Sequence, residues 1–360
     1  MSAEDKTREW HSWSVWKSEI LFAVYLAEFV KAGKRSQHRV FIDCFAGSND
    51  NVEIGTGREL PGSPRIALGV SPQFTHLLFF ELPERATQLA TSLTSEFPGR
   101  NLKVVSGDCN LSLEDGLEWI RGQGNSKSGP HLGQTLAFLD PDSLELEWET
   151  VVKLANWQMS KNGSAFTRRN RIELLILFPT GPMRRQLPQP PKPEANEQKK
   201  RTVDRLFGSE DWRPIYDAQR NGKIHGEESW LHYVNLYRLR LLQLGYNFTA
   251  AIEVRNTGNV VMYHMIFATG NNTGQKIMKS VLGKASEVFP VMIDEEKSRR
   301  HGTGTPLFEE SEADLERIKA NPGRWAKLFA EPPKPFDPAF PDSPQLSSEV
   351  TEFQPQFPLF

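Results

Sequence analysis

The sequence Arg-Val-Phe-Ile-Asp-Cys-Phe-Ala-Gly-Ser-Asn at residues 39–49 decides the fold. An apolar run at 40–42 stops at Asp43, and Gly47 follows in a loop of small residues. Such a run is typical of a parallel strand covered on both faces. In open α/β sheets, ligands lie outside the carboxyl ends of the strands. Asp43 and Gly47 are therefore candidate ligand-binding residues, because glycine permits close backbone approach and a carboxylate accepts hydrogen bonds from hydroxyls or amines.

Four further apolar runs repeat this pattern, at residues 75–82, 103–108, 135–140 and 173–178. The first three end in acids, Glu81, Asp108 and Asp140. Helical patterns separate the runs, as in βαβ units. We therefore predict that the four strand-end acids line one ligand crevice. Glu81 would take the position that binds ribose hydroxyls in doubly wound folds.

The remaining elements complete an α/β plan. A helix is predicted to begin at Ser63-Pro64, with Ser63 as its N-cap and its free N–H groups available to an anion. A long helix is predicted at 229–244. The runs at 248–254 and 260–269 then form an antiparallel hairpin, since Asn256-Thr257-Gly258-Asn259 supplies its turn. The prediction is a mostly parallel sheet with an antiparallel final strand and helices on both faces.

The bulk composition excludes several classes of protein. The chain has 360 residues, 38% of them hydrophobic and 24% charged, with a formal net charge of −2 and two cysteines. This is a globular composition without a disulfide framework or a thiolate zinc cluster. No apolar run approaches the roughly 18 residues of a membrane span, and no signal peptide is evident. We expect a cytoplasmic protein that binds neither a metal nor a membrane.

Composition also suggests the boundaries. Residues 1–15 are predicted to be flexible, 16–290 to form the main domain, and 291–330 to form a helical extension. Residues 331–360, rich in proline and phenylalanine, are predicted to be a disordered tail. Within the main domain, an insert at 158–206 carries Pro188, Pro190, Pro191 and Pro193, which favour a stiff extended linker.

Two regions offer candidate contacts for a substrate. Trp10, Trp13 and Trp16 recur at helical spacing, so Trp16 and the neighbouring Lys17 could line a pocket, although a helix packed on the sheet edge and an ordinary solvated lysine are the favoured explanations. Residues 153–205 contain twelve basic and four acidic residues. Arg168, Arg169 and Arg171 could follow a phosphate backbone of nucleic acid, or they could belong to a solvated loop.

The ordered motifs VFIDCFAGSN (40–49), GSPRIAL (62–68), LLFFEL (77–82), SGDCN (106–110) and FLDPDS (138–143) resemble the TcmP family, the three-Cys-motif partner proteins. More distantly they resemble adenine-N6 methyltransferases of ribosomal RNA. The resemblance covers about residues 16–290, and the order of the motifs is more specific than any one of them. It implies a Rossmann-like class I methyltransferase domain that binds S-adenosylmethionine and works with a three-Cys-motif protein.

Matched position by position, the resemblance assigns roles to these residues. Asp43, Phe45, Ala46 and Gly47 would surround the methionine part of the cofactor, with Ser63 beside them. Glu81 would hold the ribose, and Asp108 with Cys109 would border the adenine. Asp140 and Pro141 would begin the catalytic motif, in which a carboxylate and a proline carbonyl accept hydrogens from the target amine.

The sequence departs from the family pattern directly after Pro141. Asp142 and Ser143 stand where a second proline and a stacking aromatic residue belong. Trp148, Trp13 or Trp16 could supply the missing ring. The hypotheses are therefore a methyltransferase acting on a nucleic-acid nitrogen or a partner-delivered substrate, and a catalytically weak S-adenosylmethionine-binding subunit. A dinucleotide oxidoreductase fits less well, because residues 44–49 contain a single glycine.

Overall fold

A computed structural model describes residues 8–10, 22, 24–48, 50–53, 57, 59–124, 133–158, 171–226, 228–256, 260–283 and 328–341. The strands are β1 (Arg8–Trp10), β2 (Arg39–Asp43), β3 (Asp50–Glu53), β4 (Glu59–Pro61), β5 (His76–Glu81), β6 (Leu102–Ser106), β7 (Gln134–Leu139), β8 (Glu173–Phe178), β9 (Phe248–Arg255), β10 (Val261–Thr269) and β11 (Leu328–Phe329). The helices are α1 (Val24–Ala32), α2 (Ser63–Gly69), α3 (Pro83–Glu96), α4 (Cys109–Gly122), α5 (Trp148–Asn156), α6 (Thr180–Gln186), α7 (Glu197–Phe207), α8 (Arg213–Arg220) and α9 (Glu228–Gln243). Residues 272–283 are also helical.

The main sheet of the described residues has the strand order β11-β9-β10-β8-β7-β2-β5-β6. Strands β6, β5, β2, β7 and β8 run parallel to one another. Strand β10 pairs antiparallel with both β8 and β9. Five parallel strands closed by a hairpin are the predicted plan of class I methyltransferases. The prediction of this fold is confirmed.

The sheet is buried because helices cover both of its faces. One face packs against helices α4 to α9, and the other against α1, α2, α3 and the helix at 272–283. Strands β5 and β8 are buried at every position. This double coverage explains why these strands are continuous apolar runs instead of alternating patterns. None of the described helices combines the length and the apolar character needed to cross a lipid bilayer.

The N-terminal region differs from its prediction. Residues 8–10 form a strand that pairs in parallel with β3, and β3 pairs with β4 in a second small sheet. Arg8–Trp10 therefore forms a strand through backbone pairing with β3. A flexible segment and a helix that includes Trp10 are both wrong predictions for these three residues. The rest of the predicted flexible segment, together with Trp13, Trp16 and Lys17, lies outside the described residues.

The insert and the C-terminal region also differ. Helices α6 and α7 lie within the insert predicted at 158–206 and bury Met183, Val203, Leu206 and Phe207 in the core, whereas the proline segment between them, 188–193, contains no helix or strand. In the predicted helical extension, Leu328–Phe329 is a strand paired with β9. The described tail residues, 331–341, contain no helix or strand, yet the Phe336 ring packs edge-on against His232 at 4.9 Å. Residues 291–327 and 342–360 lie outside the described residues.

Two glycines of α4 provide a test of how closely this helix packs on the sheet. A β-carbon at Gly116 would lie 2.5 Å from Phe80 Cζ and 2.9 Å from Leu78 Cδ2, whereas one at Gly122 would meet no atom within 4 Å. Gly116→Ala is expected to lower the free energy of unfolding by about 1–3 kcal/mol through overpacking. Gly122→Ala, the matched control, should be neutral or stabilising because alanine favours helix. Urea unfolding of both variants measures this; equal stabilities would contradict the packing of α4.

Candidate functional site

The candidate site lies at the carboxyl ends of β2 and β7. Strand β2 is flanked by β5 on one side and by β7 on the other, and both pairings are parallel. Successive strands are added on one side of β2 up to β6 and on its other side from β7 onward, so the strand order reverses between β2 and β7. Such a switch point opens a crevice in which α/β sheets bind ligands. Asp43 ends β2 and Asp140 directly follows β7. The topology thus brings the first and the fourth predicted strand-end acids to the same crevice.

Asp43 is a fully buried acid with a short hydrogen-bond network. The Ser63 hydroxyl donates to Asp43 Oδ2 at 2.6 Å, and the Phe45 N–H donates to Oδ1 at 3.2 Å. Burial raises the pKa of Asp43 to about 7; the two hydrogen bonds oppose that rise, while Asp140 and Glu81 add to it. The three carboxyl groups are therefore close enough to interact. Their shared environment favours a positively charged ligand, which would relieve their repulsion.

Replacing Asp43 by asparagine is expected to stabilise the protein increasingly as the pH rises. Between its ordinary pKa of 3.8 and about 7, Asp43 binds more protons in the folded chain than in the unfolded chain. The free energy of unfolding of the wild type therefore falls as pH rises through this window, by an amount on the order of a few kcal/mol. Asparagine keeps an oxygen acceptor but does not titrate.

Urea unfolding of wild type and Asp43→Asn at about pH 5 and about pH 8 measures this difference. Buried His264, whose pKa is lowered to about 3, gives the opposite pH dependence, but it does so in both proteins. A stability difference between the two proteins that does not change with pH would contradict the environment described for Asp43.

Ser63 plays a different role from its predicted one. Gly62 is the N-cap of α2, and Ser63 is the first helical residue. N-capping by Ser63 is therefore the wrong prediction, because its hydroxyl donates to Asp43 instead of accepting from the helix backbone. Ser63 instead fixes the orientation of the Asp43 carboxylate.

Glu81 connects the first two strand ends. The Gly47 N–H donates to Glu81 Oε2 at 2.6 Å, and the Leu82 N–H donates to Oε1 at 3.0 Å. Arg85, in the first turn of α3, forms an ion pair with Glu81 Oε1 at 2.7 Å. Gly47 has a φ of 67°, a conformation that disfavours other residues. The loop after β2 is thus held against the acid of β5, and Oε2 retains one lone pair for a further donor.

Asp108 and Cys109 have different positions relative to the crevice. Asp108 is exposed and caps α4, since its Oδ1 accepts from the Asn110 N–H at 2.9 Å. Cys109 is buried in the core, where its thiol forms a hydrogen bond with that of Cys44. This hydrogen bond is the largest cause, and burial the second, of a pKa of Cys44 well above its ordinary value. The side chain of Cys109 therefore cannot border a ligand in this conformation, although its backbone lies next to Asp108.

Two apolar side chains at the same edge did not emerge from the sequence. Leu82 follows Glu81 and is 48% exposed, and Leu111, in the first turn of α4, is 84% exposed. Strands β5 and β6 are neighbours, so Leu82, directly after β5, and Leu111, in the helix that follows β6, belong to the same edge of the sheet as Glu81 and Asp108. Exposed apolar side chains around polar groups are typical of ligand sites. The signal in the sequence was an apolar residue directly after Glu81 and another three residues after Asp108.

The segment after β7 contains the predicted catalytic pair. Asp140 is half-buried, Pro141 is buried, and the Asp142 N–H donates to Glu145 Oε2 at 3.1 Å. Tyr263 of β10 interacts electrostatically with Asp140. Burial, and to a lesser degree the Asp140 charge, raises the pKa of the Tyr263 hydroxyl well above its ordinary value. Trp148 is the wrong prediction for a stacking ring, since it is buried in the core edge-on to Tyr237 at 5.1 Å.

Arg171, one of the three predicted phosphate-contacting arginines, does not join this site. Arg171 precedes β8, so it lies at the amino-terminal edge of the sheet, opposite to Asp140. Its guanidinium donates to the Ala155 carbonyl at 2.8 Å and lies over the Tyr246 ring. Arg168 and Arg169 lie outside the described residues. Within the described part of the chain, no group of three or more histidine, cysteine or acidic side chains could hold a metal ion.

Comparisons with known proteins give only distant likenesses. No protein-family model and no curated protein matches the sequence. Among solved structures, an O-methyltransferase family protein from Burkholderia thailandensis matches with a TM-score of 0.30 and 14% identity over 70% of this chain. The chain spans about half of that protein's length, 55%. A dimethyladenosine transferase from Plasmodium falciparum matches with a TM-score of 0.29 and 11% identity, covering 84% of this chain and 88% of that chain. At such TM-scores these likenesses carry no weight, and the fold is identified from its strand order.

Proposed function

We propose that this protein is a three-Cys-motif partner-type methyltransferase that binds S-adenosylmethionine at the crevice between β2 and β7. One observation carries the proposal: Asp43 interacts electrostatically with Glu81 and Asp140 at the switch point of the sheet, and the Gly47 loop is held there by Glu81. The fold alone would not support it, because one fold serves many functions. The residues gathered at the crevice are what favour this cofactor.

The side chains present suit the chemistry of S-adenosylmethionine. This cofactor has a cationic sulfonium, an ammonium group, a ribose diol and a flat adenine, and it supplies a methyl group for transfer. Asp43 and Asp140 would provide negative charge for the cationic end, and Glu81 Oε2 would accept from a ribose hydroxyl. Asp108 would accept from the adenine amine, with the exposed Leu82 and Leu111 as apolar surface for the ring.

For the acceptor, we propose a nitrogen of a nucleic acid or of a substrate delivered by a three-Cys-motif protein. The Asp140 carboxylate and the Pro141 carbonyl would accept hydrogens from the amine, which leaves its lone pair available for attack. Catalysis would come mainly from positioning the amine in line with the methyl group. Tyr263 interacts electrostatically with Asp140, so it is a better candidate than Trp148 for contact with a flat substrate.

A second candidate function is a cofactor-binding subunit with weak catalysis. Asp142 and Ser143 favour it, because they replace the proline and the aromatic residue of the catalytic motif. In such a subunit, the crevice would still bind S-adenosylmethionine, and the chemistry would depend on the partner protein.

Methyl transfer distinguishes these functions. We expect the full-length protein to transfer a labelled methyl group from S-adenosylmethionine to a fraction of cellular RNA, DNA or protein. Asp140→Asn should abolish transfer, whereas Asp142→Asn, two residues further along the same segment, should preserve it. Cofactor binding without transfer to any fraction would favour the subunit. Transfer that survives in Asp140→Asn would contradict the role of Asp140.

A further inference from the structure

Asn110, in the first turn of α4, uses the full hydrogen-bonding capacity of its side chain. Its Nδ2 donates to Asp108 Oδ1 at 2.9 Å and to the Glu145 carbonyl at 2.8 Å. Its Oδ1 accepts from the Glu147 N–H at 3.0 Å and from the Thr150 hydroxyl at 2.7 Å. The side chain is buried, with 9% exposure. A buried amide with two donors and two acceptor positions all satisfied fixes its surroundings in one arrangement.

These bonds join two parts of the crevice that the sheet itself keeps apart. Asp108 follows β6, whereas residues 145–150 belong to the segment that begins with Asp140 and Pro141 after β7. Strands β5 and β2 separate β6 from β7, a distance of about 14 Å at ordinary strand spacing. Asn110 therefore bridges the proposed adenine end of the crevice and the segment that carries the acceptor-binding pair.

A helix cap alone does not require this side chain. The start of α4 is already capped by Asp108, whose Oδ1 accepts from the Asn110 backbone N–H. That bond does not involve the Asn110 side chain. The amide adds two bonds to the backbone of residues 145 and 147 and one to Thr150, all of them 35 or more residues away in sequence.

We propose that Asn110 is a positioning residue, which couples occupation of the adenine end of the crevice to the placement of the Asp140-Pro141 segment. The inference rests on the proposed function. A ligand that contacts Asp108 would alter the carboxylate that Asn110 binds, and Asn110 would pass the change to Glu145 and Glu147. Asn110→Ala removes all four side-chain bonds and leaves the backbone cap of α4 in place.

Nuclear magnetic resonance of the ¹⁵N-labelled full chain, titrated with S-adenosylhomocysteine, tests the coupling without a known acceptor. In the wild type, the Glu147 amide resonance should shift as the ligand saturates. In Asn110→Ala, that shift should shrink about fivefold while the ligand affinity changes much less. Asn196→Ala is the matched control, because Asn196 is also an asparagine at the start of a helix and its Oδ1 caps α7 by accepting from the Lys199 N–H at 3.0 Å. It should behave as wild type.

A milder variant keeps the proposal testable if Asn110→Ala does not fold. Thr150→Val removes one of the four bonds, so it should reduce the Glu147 shift by a smaller factor. Once an acceptor is known, Asn110→Ala should lower kcat with little change in the KM for S-adenosylmethionine. A Glu147 shift in Asn110→Ala equal to that of wild type would overturn the coupling alone. If the wild type does not bind the ligand, both the coupling and the proposed function are overturned.

Discussion

Replacing Glu81 by alanine is expected to weaken the binding of S-adenosylmethionine by about 10-fold to 100-fold. A hydrogen bond to a charged group contributes about 1.5–3 kcal/mol, and one ribose hydroxyl would lose its acceptor, Glu81 Oε2. The change also frees the Gly47 N–H, which now donates to Glu81 Oε2 at 2.6 Å. The loop after β2 would lose its attachment to β5. Isothermal titration calorimetry of wild type and variant measures the difference.

Glu84→Ala is the matched control for this experiment. Glu84 is an exposed acid in the first turn of α3, three residues after Glu81, so its removal changes the net charge equally without touching the crevice. We expect the wild-type affinity in this control. If Glu81→Ala remains folded and binds as tightly as Glu84→Ala, Glu81 does not hold the cofactor.

The largest expected effect on stability comes from Glu173→Ala. Glu173 begins β8 and is buried, where its carboxylate accepts from the Tyr25 hydroxyl at 2.7 Å, the Thr269 hydroxyl at 3.0 Å and the Asn271 amide at 2.8 Å. Burial raises the pKa of Glu173, and these three bonds oppose the rise. The variant would leave three donors unsatisfied beside a cavity, which costs about 3–5 kcal/mol.

Urea unfolding monitored by circular dichroism measures this loss. Glu96→Ala is the control, since Glu96 pairs with Arg65 at the surface and such pairs contribute at most about 1 kcal/mol. The network ties α1, β8 and the end of β10 together at the edge of the sheet opposite the crevice. A stability loss in Glu173→Ala no larger than that of Glu96→Ala would contradict this role.

The strands of the main sheet could be predicted from the sequence because of how they are buried. Helices cover both faces of β5 and β8, so each is a continuous apolar run that ends where the chain leaves the core. The acids that end β2 and β5, Asp43 and Glu81, mark the same transition, at the edge of the sheet where α/β folds bind ligands. Their order along the chain, together with the closing hairpin, was enough to predict the fold.

Contacts between distant segments could not be predicted in the same way. The hydrogen bonds of Asn110 to residues 145–150 and the approach of Tyr263 to Asp140 depend on how loops pack after the sheet forms. The pairing of Arg8–Trp10 with β3 left no local signal, because short edge strands take their stability from their partners. The position of Arg171 could have been inferred, since a residue that precedes a parallel strand lies at the edge opposite the ligand crevice.

Calorimetric titration of the purified wild-type protein with S-adenosylmethionine tests the central claim most directly. The proposed site predicts saturable binding of one cofactor per chain. Because the cation relieves repulsion among Asp43, Glu81 and Asp140, affinity should increase as the pH rises and Asp43 loses its proton. An absence of binding heat at millimolar ligand across that pH range, confirmed by a second binding method, would contradict the assignment of the crevice to this cofactor.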